Sequence, residues 1–145
     1  MSAGVFRCPA CGGLNRVAEG RAGPKCGRCH AALPVDGAVA HVTDEELDQL
    51  LASSPVPVLV DFYADWCQPC RMLSPVLAQL AQRHAGEIVV VKVDTERHQR
   101  NAGRLRVEGI PAVFLFRGGQ VVGQASGFRP LGAWEQLVRP HLSAA

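Results

Sequence analysis

The amino-acid sequence predicts an α/β domain with a central mixed β-sheet, preceded by a small four-cysteine module. Two apolar, β-branched runs at residues 57–64 and 88–94 are separated by a segment of helical spacing, which indicates two parallel strands joined by a helix. Residues 112–116 and 120–124 are strand-like runs joined by an Arg-Gly-Gly turn, which is typical of an antiparallel hairpin. Residues 1–36 instead carry two Cys-x-x-Cys pairs and few large apolar side chains.

Length and composition limit the number of domains and the compartment. A chain of 145 residues is long enough for one domain with its own core and a small addition. No apolar run approaches the roughly 18 residues that span a membrane, and the N-terminus lacks the apolar core of a signal peptide. We therefore expect a cytoplasmic protein without membrane contact. In that compartment the six cysteines are better explained as metal ligands or redox thiols than as three structural disulfides.

The net charge of +2 is unevenly distributed. Residues 1–36 contain five basic and two acidic residues, a balance of +3, and the remainder contains ten basic and eleven acidic residues, a balance of −1. The larger part is not a nucleic-acid surface by composition, and the smaller part is only a weak candidate. We expect no nucleic-acid partner.

The two N-terminal cysteine pairs predict a structural zinc site. They are separated by fourteen residues, a spacing that suits a tetrahedral four-cysteine knuckle, with Gly12 and Gly27 in the tight turns. A segment so poor in apolar residues needs the metal to fold, and four thiolates fill the shell. His30 is an alternative ligand, but we interpret it as a solvated neighbour. The predicted ligands are Cys8, Cys11, Cys26 and Cys29.

The elements of the larger part follow in chain order. A linker at residues 33–37 leads to a short strand and then to a helix that Thr43 caps, with Glu46 completing a capping box. The last helix carries Trp134, which we place in the core. Helices are predicted at residues 43–53, 67–84, 95–105 and 131–138, and strands at residues 38–42, 57–64, 88–94, 112–116 and 120–124.

A third pair, Cys67 and Cys70, lies where a buried strand turns into a helix. The N-terminus of a helix carries unpaired N–H groups and a partial positive charge, and both favour a thiolate over a thiol. Because the thiolate is the form that attacks disulfides, this position predicts a redox dithiol. The alternative is half of a zinc site, for which the sequence offers no second ligand pair nearby.

Residues 38–143 resemble the thioredoxin family along the whole domain. The motifs that carry the resemblance are residues 60–64, 66–70, 92–94 and 109–111, together with Gly127. The N-terminal extension is similar to that of the zinc-containing second type of bacterial thioredoxin. The resemblance implies a thioredoxin fold in residues 37–145 after a zinc module in residues 1–36, with no organic cofactor.

One residue departs from the family pattern. Gln68 stands where the family usually has a glycine after the first cysteine. Residues between the two cysteines tune the redox potential across the superfamily, so this potential does not follow from the resemblance. An amide donor beside the thiolate is expected to favour the reduced form.

The resemblance implies roles for four residues at the centre of the site. Cys67 is the exposed nucleophile and Cys70 the resolving thiol. Asp61 lies among Val, Leu and Phe, so its pKa is expected to rise, and the resemblance makes it the acceptor of the Cys70 proton. The alternative is an acid at a solvated strand edge. Lys92 either pairs with Asp61 or is a solvated strand residue.

Further residues are expected around the dithiol. Pro111 resembles the family's cis-proline, although a plain proline at the start of a strand is the alternative. Ile110 would then offer backbone groups to an extended target peptide. Trp66 and Pro69, with Ile110, would form an apolar docking patch, unless Trp66 belongs to the core. We interpret the remaining histidines as surface or packing residues: His41, His84, His98 and His141.

The first functional hypothesis is a monomeric protein-disulfide reductase. Its partners would be disulfide-containing target proteins and an NADPH-dependent thioredoxin reductase. Two alternatives use the thioredoxin domain as a scaffold: a zinc-ribbon adaptor, and a redox sensor whose ribbon thiols are oxidised and release zinc. An intact dithiol with Asp61 and Pro111 favours the first hypothesis, because a scaffold needs none of them.

Overall fold

The computed structural model describes residues 4–35 and 37–142. Three residues at each end and Asp36 lie outside this part. Asp36 belongs to the predicted linker and marks the predicted domain boundary, so both of these predictions fall partly outside the described residues. The strands are β1 (Gly4–Arg7), β2 (Leu14–Val17), β3 (Ala40–His41), β4 (Val58–Tyr63), β5 (Val89–Asp94), β6 (Ala112–Arg117) and β7 (Gln120–Ser126). The helices are α1 (Asp44–Ser53), α2 (Gln68–Arg83), α3 (Arg100–Arg104) and α4 (Leu131–Val138), and a 3₁₀ turn at Arg139–His141 follows α4.

Five strands form one mixed sheet in the order β3-β5-β4-β6-β7. β3 and β4 pair in parallel with β5, whereas β6 pairs antiparallel with β4 and with β7. The helix α2 connects β4 to β5, and a tight turn connects β6 to β7, so the length of each connection matches the direction of its pairing. The sheet confirms the predicted mixed α/β fold and makes β4 its central strand.

Helices cover both faces of the sheet, and each face has its own apolar core. One core includes Leu47 of α1 and Phe62 of β4. The other includes Leu77 of α2, Leu115 of β6 and Trp134 of α4. Trp134 is fully buried, as predicted. Because both faces are covered, all six residues of β4 are buried.

Helix α1 begins as the sequence predicts. The Glu46 N–H donates to Thr43 Oγ1 at 3.1 Å, and the Glu46 carboxylate accepts from the Thr43 N–H at 2.9 Å. This is the complete capping box. Within the described ranges no helix is long and apolar enough to cross a membrane.

Helix α3 is shorter than predicted. We expected it to begin at residue 95, but it covers only Arg100–Arg104. The Asp44 carboxylate accepts hydrogen bonds from the N–H groups of Arg100 and Asn101, at 3.1 Å each. A carboxylate from α1 therefore occupies the N-terminus of α3, and a partner 56 residues away along the chain leaves no local sequence pattern.

The N-terminal module contains a hairpin that the sequence analysis missed. β1 and β2 pair antiparallel, and the first cysteine pair lies in the loop between them. Phe6 and Leu33 are buried in a small cluster that also includes Ala85 of the larger domain. The strands are only four residues long, too short to show a clear alternation of apolar and polar residues.

The module packs directly against the larger domain. The Val5 N–H donates to the Gly86 carbonyl at 2.9 Å, and Arg7 Nη2 lies 3.2 Å from the Glu46 carboxylate of α1. Leu14 of β2 packs against the core beneath α1. A hydrogen bond, an ion pair and apolar contacts therefore join the described part of the module to residues 37–142.

Candidate active site and metal centre

Cys67 and Cys70 are joined by a disulfide at the N-terminus of α2. Cys67 is the N-cap residue, and its sulfur accepts a hydrogen bond from the Cys70 N–H at 3.2 Å. The N-terminal amides of a helix stabilise negative charge, so this N–H is positioned to stabilise a Cys67 thiolate after reduction. The disulfide supports a redox dithiol, and the pair lies outside the four-cysteine cluster, which argues against half a zinc site.

The two sulfurs differ in their surroundings. Only 4% of Cys67 and 1% of Cys70 is accessible, so Cys67 is not the exposed residue that we expected from the sequence. Its sulfur lies 3.7 Å from the Ile110 carbonyl, and the disulfide packs against Tyr63 and Ala64. These neighbours account for its low exposure in the disulfide form, in which Cys67 is still the more accessible of the two.

Asp61 lies on the central strand β4 and is completely buried. Neither of its carboxylate oxygens has a hydrogen-bond partner within the described ranges. Burial raises the pKa of Asp61 to about 7, and the positive charge of Lys92 only partly offsets this effect. The solvated-edge alternative is therefore wrong. A carboxyl group with this pKa exchanges a proton near neutral pH, which suits a general base.

Lys92 is the register partner of Asp61 on β5, but the two side chains do not form an ion pair. Its ammonium donates to Ser74 Oγ of α2 at 2.5 Å and lies 4.3 Å from the centroid of the Tyr63 ring. Only 9% of the residue is exposed. We expected Lys92 either to pair with Asp61 or to be solvated, and neither prediction is correct. The ammonium instead contacts the Ser74 hydroxyl and the Tyr63 ring.

The loop opposite the dithiol is built around Pro111. The peptide bond between Ile110 and Pro111 is cis, as the resemblance implies. The Pro111 carbonyl accepts a hydrogen bond from the Gly127 N–H at 2.9 Å. Gly127 has a φ of +80°, a left-handed conformation that glycine adopts more easily than other residues. Gly127 thus connects the end of β7 to the start of β6, next to the Ile110 carbonyl that faces Cys67.

An exposed surface surrounds the dithiol. Trp66 is 67% exposed, which excludes the core alternative, and its Nε1 donates to the Glu96 carboxylate at 2.6 Å. Pro69 and Gln68 are exposed at the first turn of α2. Met72 of α2 is also exposed, at 50%. In the disulfide form, no hydrogen bond joins Gln68 to either sulfur.

The four N-terminal cysteines converge, as their spacing predicts. Their sulfur atoms all lie within 4.8 Å of one another. Cys8 and Cys29 approach to 3.5 Å, and Cys11 and Cys26 to 3.6 Å. Four sulfurs on a tetrahedral zinc ion with bonds of about 2.3 Å stand about 3.8 Å apart, so the cluster has the size of a zinc site. The four cysteines could therefore hold a metal ion.

The two knuckles repeat one backbone pattern. The Gly12 N–H donates to the Cys8 carbonyl and the His30 N–H to the Cys26 carbonyl, both at 2.9 Å. Gly12 and His30 both have positive φ values, of 77° and 67°. We expected Gly27 to make the second turn, but the residue with the positive φ there is His30. His30 is exposed and does not belong to the four-sulfur cluster, in agreement with its interpretation as a solvated neighbour.

Backbone amides also favour thiolates in this cluster. The Arg28 N–H donates to the Cys26 sulfur and the Gly13 N–H to the Cys11 sulfur, each at 3.4 Å. Hydrogen bonds from the N–H groups of Cys29 and Arg28 lower the pKa of Cys26 to about 6. The pKa of Cys29 rises to about 11 despite the Ala31 N–H, because of the hydrogen bond with Cys8 and of burial, so one thiol of the cluster keeps its proton until a metal ion displaces it. Metal ions bind thiolates, and these N–H groups stabilise the thiolate form. The chemistry of the four cysteines therefore suits a metal ion, as the distances between their sulfurs do.

Several contacts near the site were not foreseen. Ser74 holds Lys92, and His41 Nδ1 lies 2.7 Å from the Tyr63 hydroxyl. His84 has an acidic partner that sequence spacing did not reveal, because its Nε2 lies 2.6 Å from the Glu135 carboxylate. The residues of each pair are between 18 and 51 positions apart, so no local pattern could have connected them.

Comparison with known proteins places the larger domain among thioredoxins. The family model described as thioredoxin matches residues 38–139. Thioredoxin 1 of Nostoc is 43% identical over 105 residues, which cover 72% of this chain and 98% of that protein. The thioredoxin of Bacillus subtilis is 37% identical over 105 residues, 72% of this chain and 99% of that protein. Thioredoxin C-3 of Corynebacterium nephridii is 35% identical over 126 residues, 85% of each chain.

Proposed function

The chain belongs to the thioredoxin family and is a thiol-disulfide oxidoreductase, and from this premise we propose that it reduces protein disulfides through Cys67 and Cys70. The observation that carries the proposal is the dithiol at the N-terminus of α2, with the Cys70 N–H directed at the Cys67 sulfur. This contact favours the thiolate on the residue that attacks first.

The proposed reaction has two exchange steps. The Cys67 thiolate attacks one sulfur of a target disulfide, forms a mixed disulfide and releases the first target thiolate. The Cys70 thiolate then attacks the Cys67 sulfur, releases the second target thiolate and leaves the Cys67–Cys70 disulfide. Two electrons pass from the dithiol to the target, so each cycle ends with the protein oxidised.

Asp61 is proposed to accept the proton of Cys70 before the second step. A pKa of about 7 supports this role, because such a carboxylate is both available and basic enough near neutral pH. We assign the apolar surface of Trp66 and Pro69 to target docking. Ile110 and Pro111 would present backbone groups to an extended target, and Gly127 would support their loop. Lys92 would act on Asp61 through its charge from the neighbouring strand.

The partners follow from the chemistry of the oxidised product. A protein that donates two electrons per cycle needs a reductant, and we assign this role to an NADPH-dependent thioredoxin reductase. We further propose that the protein acts as a monomer in the cytoplasm, a compartment in which protein disulfides are kept reduced.

Residues 1–36 are proposed to form a zinc module and residues 37–145 the thioredoxin domain. Zinc would be held by the four clustered cysteines and would stabilise the module without taking part in the exchange steps, because four thiolates leave no open position. The ligands are Cys8, Cys11, Cys26 and Cys29.

An insulin-reduction assay on three serine variants tests the proposal. Cys67→Ser is expected to lose activity, because no thiolate attacks the target. Cys70→Ser is expected to trap mixed disulfides that appear on non-reducing gels. Cys29→Ser, a cysteine outside the pair, serves as the matched control and should retain activity. Activity in the Cys67 variant would contradict the assignment.

A further inference from the structure

A cleft of about 630 Å³ separates the N-terminal module from helix α1. One face of α1 forms a wall of the cleft through Glu46, Gln49, Leu50 and Ser53, which occupy positions i, i+3, i+4 and i+7 of the helix. The hairpin and the knuckles form the opposite wall. No residue of the dithiol site lines this cleft, and its volume lies in the range of ligand-binding sites.

The cleft carries an excess of positive charge. Among the described residues, Arg7, Arg16 and Arg28 line it together with one carboxylate, that of Glu46. Arg7 is 3.2 Å from Glu46, so the charges of this pair are matched. Arg16 and Arg28 are exposed, and neither has a carboxylate within ion-pair distance in the described part of the chain. Two guanidinium groups therefore remain available to an anionic ligand.

The metal-binding knuckles hold this basic wall in place. The Arg28 N–H donates to the sulfur of Cys26, so the position of Arg28 depends on the second knuckle. A side chain on Gly12 would stand 3.1 Å from Arg7 Nη2, which shows that Arg7 packs on the first knuckle. Loss of the metal would therefore disturb the arginines while leaving the α1 wall unchanged.

The composition of the walls indicates the class of ligand. A guanidinium group binds a carboxylate through two parallel hydrogen bonds. Among the described residues no aromatic side chain lines the cleft, so a nucleobase would find nothing to stack on, whereas Leu14 and Pro55 offer apolar contacts. We propose that this cleft binds an acidic peptide segment of a partner protein, with carboxylates at Arg16 and Arg28 and an apolar side chain against Leu14 and Pro55.

Fluorescence anisotropy with a labelled peptide tests the proposal. The probe is a fluorescein-labelled decapeptide with five glutamates and two leucines, and the control peptide has glutamine in place of glutamate. The full-length, zinc-loaded protein is expected to bind the acidic probe at least tenfold more tightly than the control peptide at low salt. Binding should weaken as salt is raised, because both arginines are exposed.

Two double variants separate the cleft from the general charge of the module. Arg16→Glu with Arg28→Glu should weaken binding at least tenfold. Arg21→Glu with Lys25→Glu changes the net charge of the same module equally but alters exposed residues outside the cleft, and should change binding less than twofold. An equal loss in both double variants would show that only non-specific attraction is present and would overturn the proposal.

A variant on the α1 wall covers the case in which the arginine variant loses zinc. Gln49→Glu adds a negative charge to the cleft without touching the module, and should weaken binding at least threefold while insulin reduction stays unchanged. Unchanged binding by Gln49→Glu would exclude the cleft as the site. Tighter binding of a labelled ten-nucleotide oligothymidylate through the same arginines would refute the peptide assignment.

Discussion

Asp61 and Lys92 are register partners on adjacent strands, yet the Lys92 ammonium donates to Ser74 and not to the Asp61 carboxylate. The carboxylate is therefore buried without a hydrogen bond, and Lys92 acts on it only through its nearby charge. Burial dominates, and the pKa rises to about 7. A cationic neighbour alone would instead have lowered the pKa.

This raised pKa predicts that the Asp61 carboxyl destabilises the fold as pH increases. Its proton is bound more tightly in the folded than in the unfolded protein, so its stabilising contribution is complete below the ordinary value of 3.8 and is lost as pH rises to about 7. Relative to Asp61→Asn, the free energy of unfolding of the oxidised wild type should fall by up to about 4 kcal/mol across this window. Urea denaturation at pH 4, 5.5, 7 and 8.5 measures the difference.

The exposed carboxylate of Asp65 provides the control for this experiment. Asp65→Asn should give a curve of stability against pH parallel to that of the wild type. If the difference between wild type and Asp61→Asn stayed constant from pH 4 to 8.5, the pKa of Asp61 would not be raised.

The sequence predicted those features that depend on local patterns. The capping box at Thr43 and the position of Cys67 at a helix N-terminus follow from residues within a few positions of each other. The burial of Asp61 followed from its apolar neighbours on both sides. The contact that draws Lys92 away from Asp61 could not be predicted, because the strand that carries Lys92 and the helix that carries Ser74 meet only in the folded protein.

The same limit explains the errors at α3 and in the module. The N-terminus of α3 is set by Asp44, which is more than fifty residues away. The β1–β2 hairpin is stabilised by contacts of Val5 and Phe6 with Gly86 and Ala85, which belong to the larger domain. Tertiary contacts of this kind outweigh weak local propensities in short elements.

The contact between Asp44 and α3 leads to a second prediction. Asp44→Ala removes the acceptor of the Arg100 and Asn101 N–H groups, and Asn101 is fully buried. Unpaired buried donors of this kind predict a loss of about 3 kcal/mol in the free energy of unfolding. Glu45→Ala, at the exposed neighbouring position, should cost less than about 0.5 kcal/mol. Similar losses in the two variants would contradict the role of Asp44.

Glu135 connects the ends of α2 and α4 and predicts an opposite dependence on pH. Burial opposes its ionisation, but the hydrogen bond and charge of His84, together with Arg139 and Arg83, outweigh burial and lower its pKa. Its contribution is therefore present above the unfolded pKa of about 4.5 and is lost as pH falls through the lower folded pKa. Glu135→Gln should cost about 1–3 kcal/mol at pH 7 and progressively less below pH 4.

A matched variant distinguishes this buried contact from an exposed one. Glu87 also approaches His84, at 3.2 Å, but its side chain is 52% exposed. Glu87→Gln should therefore change the free energy of unfolding by less than about 0.5 kcal/mol at any pH between 4 and 8. A larger effect for Glu87→Gln than for Glu135→Gln in urea denaturation would overturn the comparison.

Removal of the metal is expected to unfold the module but not the sheet. Cys11→Ser should lose the proposed zinc ion, measured by atomic absorption, because three thiolates hold it far less tightly. Residues 37–142 have two apolar cores of their own, so their cooperative thermal transition should persist. His30→Ala, next to the last ligand but outside the cluster, should retain one zinc per chain. Loss of the transition in Cys11→Ser would show that the module is required for folding.

Gln68 offers the last prediction, since it occupies the first position of α2 beside the nucleophile. Its exposed side chain is free of the sulfurs in the disulfide form, so an amide N–H donated to a Cys67 thiolate would stabilise the reduced state alone. Gln68→Gly should therefore make the protein more reducing by on the order of 20 mV, the equivalent of one modest hydrogen bond, and raise the Cys67 pKa. Equilibration with glutathione and titration of thiolate absorbance measure the two quantities. Gln79→Gly makes the same substitution at an exposed position of the same helix and should leave both unchanged. A potential that rises, or a Cys67 pKa that falls, in Gln68→Gly would show that Gln68 does not stabilise the thiolate.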